Sequence, residues 1–515
     1  MGGNFILERN TLFMYKNLFN NINGYPLDKQ QIKAATSQSK YSMIIAGAGS
    51  GKSTTIIGKI IYLVNILNVN PQEILCISFT NEASHNLKEN ILKNCNINIE
   101  VNTFHKLALN ILKNNKINFK ICSPFYLDYI IEEYFKISHN HNIRKNTISF
   151  IKNKFYINNE KEYERLISNN DLYCLKKLIT TFINLYRTKY NSKDYLEKLL
   201  KTQMHYKDIA LLKIIYTIYT LYEDEKRSQN FIDFDDMIYL ATSVLSKDCY
   251  IENYKYIIID EFQDTSKNRL DLIKAILNKT HASLTVVGDD FQSIYKFSGC
   301  NLDLFLNFPN DFENVEILKI ENTYRNSQEL INVAGDFIAK NPLQLKKDLK
   351  SNKSLNKPIK IVYDDKIKLK KLLSKICQEY NNILILGRNN FDMYKYLDND
   401  IKIDQNGKVT FSLFPCSNIR FLSIHKSKGL EADVCIVLNL ENSKLGFPNQ
   451  IIDYHILNYI NCKETYPYEE ERRLFYVALT RSKNYVYLIS NKNKESIFIK
   501  ELNKYYKKHI EILKK

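Results

Sequence analysis

The feature that most constrains this chain is the run AGAGSGKST, residues 46–54, set between a short apolar strand pattern and an apolar helical one. Gly47, Gly49 and Gly51 let the backbone bend around an anion, so that amide hydrogens and a helix N-terminus face it. Ala48 and Ser50 fill the turn between them. Lys52 supplies a point charge to β and γ phosphates, Ser53 a hydroxyl to magnesium, and Thr54 opens the helix. The general phosphate-loop pattern begins with Gly, and here Ala46 holds that place. By itself the run could also be a Gly-rich turn.

A loop of this kind belongs at the carboxyl end of a strand in an α/β sheet. Residues 42–46, 74–79, 256–259 and 284–287 are short apolar runs that end in small or polar residues, as suits parallel strands covered on both faces. Helical patterns follow Thr54 and span 84–93. From about 106 to 223 the pattern changes to Lys-, Tyr-, Leu- and Ile-rich helices with almost no Gly, which reads as a helical insertion. Residues 359–363, 383–386, 421–424, 434–438 and 485–489 form a second set of strands. The expected fold class is α/β, with two parallel-sheet layers.

The run YKYIIIDEFQDT places Asp260 and Glu261 at the end of a buried strand. Asp260 can hold magnesium, and Glu261 is positioned to orient and deprotonate an attacking water. Most isolated Asp-Glu pairs are merely solvated; the loop upstream gives this one a partner. Hydrolysis also needs cations on the developing charge, and Arg325 in ENTYRNS and Arg481 in YVALTRS are the candidates.

The 515 residues are enough for about three or four domains at roughly 100–200 residues each. Lys and Arg number 73 against 56 Asp and Glu, a net charge of +17 that favours an anionic polymer such as nucleic acid as partner. No two of the ten cysteines have the spacing a zinc or iron–sulfur site needs, so free thiols in a reducing cytosol are expected. The start, MGGNFILERNTLF, has no sustained apolar core, and Ile6 stands where a myristoylation signal needs Ser or Thr. The apolar stretch 56–69 is broken by Lys59, Asn65 and Asn68, so no membrane span is expected and the location reads as cytoplasmic.

In order along the chain, the motifs resemble superfamily 1 DNA helicases of the UvrD, Rep and PcrA type. PLDKQQIKAA is similar to the family's Q motif, which implies that Gln31 reads adenine. AGAGSGKST resembles motif I, in which an alanine at the first position is normal. ISFTNEA and VNTFHKLA resemble motifs Ia and Ib, implying DNA contacts by Phe79, Asn81, Thr103, Phe104 and His105. IIIDEFQDT resembles motif II. VVGDDFQSIYKFSG resembles motif III, with Gln292 implied as γ-phosphate sensor and Tyr295 and Phe297 as base-stacking rings. The tryptophan common there is replaced by Phe297 in a chain with no Trp. ENTYRNS resembles motif IV, with Tyr324 stacking on adenine and Arg325 reaching the γ-phosphate. FLSIHKSKGLEADVCIV resembles motif V, with His425 on DNA and Glu431 on the ribose. EEERRLFYVALTRS resembles motif VI, with Arg481 as arginine finger. For the aromatics, ordinary core packing is the competing reading.

The resemblance implies two RecA-like domains: a first, 1A, from 1–106 and 220–318; a helical insertion, 1B, from 107–219; and a second, 2A, from 319–515. It further implies an ATP-dependent 3′ to 5′ helicase using ATP and Mg2+ on single-stranded and 3′-tailed duplex DNA. Two departures stand out. Only roughly thirty residues, near 391–420, separate the strand ending by Asn390 from motif V, too few for the family's 2B domain. The chain also ends about 34 residues past Arg481, without the longer strand-separating hairpin or room for a fused nuclease. A second expectation is therefore a DNA-stimulated translocase that unwinds little alone and serves beside a partner such as a nuclease, in repair or phage defence. A nucleotide-gated DNA-binding switch would not need the full hydrolytic set.

Overall fold

The computed structural model describes residues 18–136, 173–202, 206–247, 249–363, 366–451, 454–461 and 464–513. Residues 137–172 of the expected insertion, the N-terminal stretch 1–17 and Cys462 lie outside the described residues. The other nine cysteines are free thiols. No helix among the described residues is long and apolar enough to cross a membrane.

The first half contributes strands β1 (Tyr41–Ala46), β2 (Ile74–Ser78), β3 (Glu100–Thr103), β4 (Lys120–Ile121), β5 (Phe231–Ile232), β6 (Tyr256–Ile259), β7 (Ser283–Gly288) and β8 (Glu316–Ile320). The second contributes β9 (Ile359–Tyr363), β10 (Asn382–Gly387), β11 (Ile401–Ile403), β12 (Lys408–Phe411), β13 (Asn418–Ser423), β14 (Val434–Val437), β15 (Val486–Ser490) and β16 (Ile510–Leu513). Six strands form an all-parallel sheet in the order β3-β2-β6-β7-β1-β8. Its central strands are buried along nearly their whole length because helices cover both faces, with Met43, Ile45, Ile257, Ile259 and Val286 on one side and Ile44, Ala46, Ile258 and Val287 on the other.

The second sheet is mixed, in the order β11-β12-β13-β10-β14-β15-β9-β16. Pairing is parallel from β13 to β16 and antiparallel at β11, β12 and β13. Residues 391–420, expected to be a remnant of a further domain, thus supply a short 3-10 turn and two strands that extend the edge of this sheet. The two domains meet on an apolar seam: Ala48, Phe291 and Ile294 from the first pack into the core formed by Ile424, Leu474, Tyr476 and their neighbours.

The boundaries of the insertion differ from the sequence expectation. Helix Phe104–Asn114 buries Leu107, Ala108, Ile111 and Leu112 in the first-domain core, so the chain leaves that domain later than residue 106. The neck is the parallel pair β4 and β5. Beyond it, apolar faces at 127–135, 175–199 and 211–222 form a separate cluster, which also takes in Ile456, Leu457 and Ile460 from the second half. Beside the neck, the buried cations Arg187 and Lys226 share Asp233 and Asp236. Charges so withdrawn from water persist only when paired.

Candidate functional site

After β1 the chain turns through residues 47–51 into helix Lys52–Asn65. Gly49 and Gly51 have φ of 69° and 79°, a region that side-chain-bearing residues avoid. Space forbids a side chain as well: a Cβ on Gly51 would stand 2.5 Å from Gln31 Nε2, and one on Gly49 2.5 Å from Arg325 Cβ. Ser50 Oγ donates back to the Gly47 carbonyl at 2.9 Å. Gly51 offers no side-chain cap, so the first-turn amides of the helix are left for an anion. Gln31, 3% exposed, donates from Nε2 to the Ser50 carbonyl and accepts from the Asp28 amide, both at 2.9 Å. It therefore braces the loop, with one N–H and one lone pair left to read a base. Tyr324 stands beside it, 60% exposed, its hydroxyl donating to Asp28 at 2.7 Å.

Strand β6 delivers Asp260 and Glu261, the latter at φ 51°. A glutamate in left-handed backbone is a local strain of the sort that collects at functional positions. Asp260 Oδ1 accepts from the Glu261 amide at 2.9 Å, and Lys52 Nζ lies 3.5 Å from Glu261 Oε1. Burial and the neighbouring Glu261 push the Asp260 carboxyl up. Burial acts the same way on Glu261, but Lys52 and Lys428 outweigh it and hold that carboxyl well below its ordinary range. Glu261 is thus the ionised member, suited to accept a proton. Asp260 is buried at the strand end and Ser53 is exposed in the first turn of the helix, and a carboxylate and a hydroxyl are the oxygen donors that suit a hard divalent ion.

The second domain brings the cations. Arg481, 1% exposed, donates to Gln292 Oε1 at 2.8 Å, to the Val477 carbonyl at 3.2 Å and to the Leu430 carbonyl at 3.3 Å. Burial and the neighbouring Arg325 lower its pKa to about 10, which leaves it charged at neutral pH. Arg325 donates to Glu431 at 2.8 Å and to the Thr480 carbonyl at 3.2 Å. Glu431, read as a ribose contact, is held here between Arg325 and Lys483. Lys428 was not singled out in the sequence. Its side chain, 7% exposed, donates to the Gln292 carbonyl at 2.8 Å, pairs with Asp264, and lies 3.6 Å from Glu261 Oε2. Burial would lower its pKa, but Asp264 and Glu261 outweigh that and hold it raised. Lys347, likewise not singled out, pairs with Asp289 and Asp290.

The expected DNA contacts divide by exposure. Phe297 is 60% exposed and meets His425 edge to face at 5.3 Å, while the Tyr295 hydroxyl donates to the His425 carbonyl at 2.9 Å, a ring group shared by both domains. Burial and Arg388 push His425 down to about 4, so its ring is uncharged at neutral pH. Phe79 is half-buried under the Arg269 guanidinium, 4.5 Å from its ring centre. Asn81 is exposed at the start of helix Asn81–Cys95. Thr103 is buried and caps the next helix by accepting from the Lys106 amide. Burial and Arg269 push His105 down to about 4. Phe104 departs from expectation: at 3% exposed it is part of the first-domain core, where its ring adds to apolar burial and offers no face to a base.

Two family models and several curated relatives match this chain. The family model described as UvrD/REP helicase N-terminal domain matches residues 27–313, and that of the UvrD-like helicase C-terminal domain matches 397–493. DNA helicase IV of Escherichia coli is 28% identical over 514 residues, covering 95% of this chain and 72% of that protein. An ATP-dependent DNA helicase Rep of Buchnera aphidicola is 32% identical over 353 residues, covering 66% of this chain and 49% of that protein. A probable DNA helicase of Mycoplasma pneumoniae is 26% identical over 511 residues, covering 93% of this chain and 85% of that protein. The chain therefore spans about half the length of the Rep relative. With the N-terminal family model matching more than half of its residues, the chain belongs to the UvrD/Rep family of helicases.

Proposed function

We propose that this chain is an ATP-dependent motor that moves 3′ to 5′ along single-stranded DNA and opens 3′-tailed duplexes. The observation that carries the reading is the convergence of Lys52, Glu261 and Gln292 from the first domain with Arg481 from the second and with Arg325 on the connection that follows β8. The loop amides and Lys52 would hold the phosphates of ATP, Tyr324 and Gln31 its base, Glu431 its ribose, and Ser53 with Asp260 the magnesium ion. Bound together, ATP and Mg2+ supply a phosphoryl group and neutralise its charge. Glu261 orients a water and takes its proton at the carboxylate; Arg325 and Arg481 bring positive charge to where negative charge grows. Gln292, tied to Arg481, feels both domains. Phe297, His425 and Phe79 would carry the bases of a strand lying across them, with cations on its phosphates.

The short connection between β10 and β13 favours a second reading, in which the motor translocates well, unwinds little alone and works in the cytoplasm beside a partner such as a nuclease. The test of the motor is phosphate release with and without poly-dT. Turnover should be low without DNA and rise strongly with it. Equal rates would overturn the coupling.

A further inference from the structure

Lys347 lies on the connection between helix Gln328–Ile338 and β9, outside every motif named above. Its side chain is 2% exposed and sits between two fully buried carboxylates, in contact with Asp289 Oδ1 and 2.6 Å from Asp290 Oδ1. The Phe291 ring closes a further side, with its centre 3.8 Å away. The Leu345 amide donates to Asp290 Oδ2 at 2.8 Å, so the same connection holds the second carboxylate from its backbone. A lysine and two aspartates are withdrawn from water together only where each satisfies the others.

The remaining oxygen of Asp289 reaches the site of hydrolysis. Asp289 Oδ2 accepts from Gln292 Nε2 at 2.5 Å, which leaves Gln292 Oε1 facing Arg481 Nη2 at 2.8 Å. An ionised carboxylate only accepts and a guanidinium only donates. The carboxamide therefore satisfies both neighbours in one orientation; turned by half a circle, it would set two acceptors together at Asp289 and two donors together at Arg481. The orientation lasts as long as Asp289 stays a pure acceptor. A buried carboxylate stripped of its cation is left with uncompensated charge, and the cation no longer holds it in place to accept from the carboxamide.

We propose that Lys347 is a positioning residue for Gln292: by holding Asp289 as an acceptor it fixes the carboxamide with its oxygen towards Arg481. The proposal rests on the reading of Gln292 as the side chain that senses the γ-phosphate. The connection that carries Lys347 also touches the phosphate loop, because Leu349 packs against Gly47, and Lys350 accepts through its carbonyl from the Thr323 amide at 2.8 Å. Thr323 in turn donates to the Ala48 carbonyl at 2.8 Å. One segment thus contacts the loop and sets the residue that reads what the loop holds.

The test is a cycle of Lys347→Met, Gln292→Ala and the double variant, read as turnover on saturating poly-dT, with nucleotide affinity and thermal melting measured alongside. Gln292→Ala should slow turnover by about 10²–10³. Lys347→Met should slow it by about 10–10², as small misplacements of reacting groups do. Nucleotide affinity should stay within about threefold, and the double variant within about threefold of Gln292→Ala alone, because Lys347 acts through that side chain. Wild-type turnover in Lys347→Met, or effects that multiply in the double variant, would overturn the proposal while the sensor reading stands. An undiminished Gln292→Ala would overturn the sensor reading and the proposal with it. Should Lys347→Met not fold, Asp289→Asn leaves Lys347 paired with Asp290 and is carried through the same cycle with the same expectations.

Discussion

Lys428, from the second domain, holds its ammonium 3.6 Å from the Glu261 carboxylate of the first. Glu261 owes its low pKa to Lys52 and Lys428 acting against burial. Removing Lys428 leaves burial less opposed, so the carboxyl pKa rises and a smaller fraction is ionised at any given acidic pH. An opposite charge at this range moves a pKa by about 1–3 units. Lys428→Met should therefore shift the acid limb of the turnover profile upward by about 1–3 pH units. A profile on poly-dT carried down to about pH 3, with an acid limb that has not moved up from about 2, would contradict this account of Glu261.

Lys52 and Glu261 should separate binding from chemistry. Lys52→Ala removes the charge that meets the phosphates and should abolish turnover. Glu261→Gln keeps the shape but loses the proton acceptor, so ATP should still bind while hydrolysis stops. Fluorescent-nucleotide titration beside phosphate release distinguishes the two, and robust hydrolysis by Glu261→Gln would show that another group takes the proton.

Arg325→Ala should slow hydrolysis by about 10³–10⁵, the range for an arginine that stabilises transferred phosphoryl charge. Affinity for ATP should change far less. Arg481 also satisfies two backbone carbonyls inside the fold, so Arg481→Ala should lower the melting temperature as well as the rate. Turnover by Arg325→Ala within about threefold of wild type would remove it from the catalytic set.

The aromatic residues should divide as their exposure divides. Phe297→Ala should weaken binding of single-stranded DNA by about 1–3 kcal/mol with little change in stability. Phe104→Ala should instead destabilise the fold by about 3–5 kcal/mol, as emptied core sites do. Oligonucleotide anisotropy and thermal melting on both variants read the two effects; the reverse pattern would reassign both rings.

Unwinding should fall steeply with duplex length. Each base-pair step costs about 1.4 kcal/mol on average to open, and residues 391–420 add only sheet edge. Strand displacement from a fixed 3′ tail, with a trap against rebinding, should succeed on short duplexes alone. Single-turnover opening of a duplex several hundred base pairs long, a length far beyond thermal fraying at that cost per step, would show that some segment of the chain separates strands after all.

The sequence determined those parts of the site whose chemistry sits on consecutive residues. Residues 46–54 and the pair Asp260 and Glu261 each lie at the end of one strand, so spacing alone fixes where backbone amides, ammonium and carboxylates go. Strands β3 and β8 were not legible because Glu100–Thr103 is short and half polar, and Glu316–Ile320 alternates exposed and buried residues along a sheet edge. Phe104 and Phe297 are both stacking candidates in the sequence, Phe297 the stronger; only packing decides that one is core and the other surface. The same holds for Lys347 and Lys428, two lysines among many until the domains close on Asp289, Gln292 and Glu261. Local geometry follows from neighbouring residues, whereas the partner of a buried charge is chosen by which distant strands and connections pack beside it, and that choice belongs to the tertiary structure.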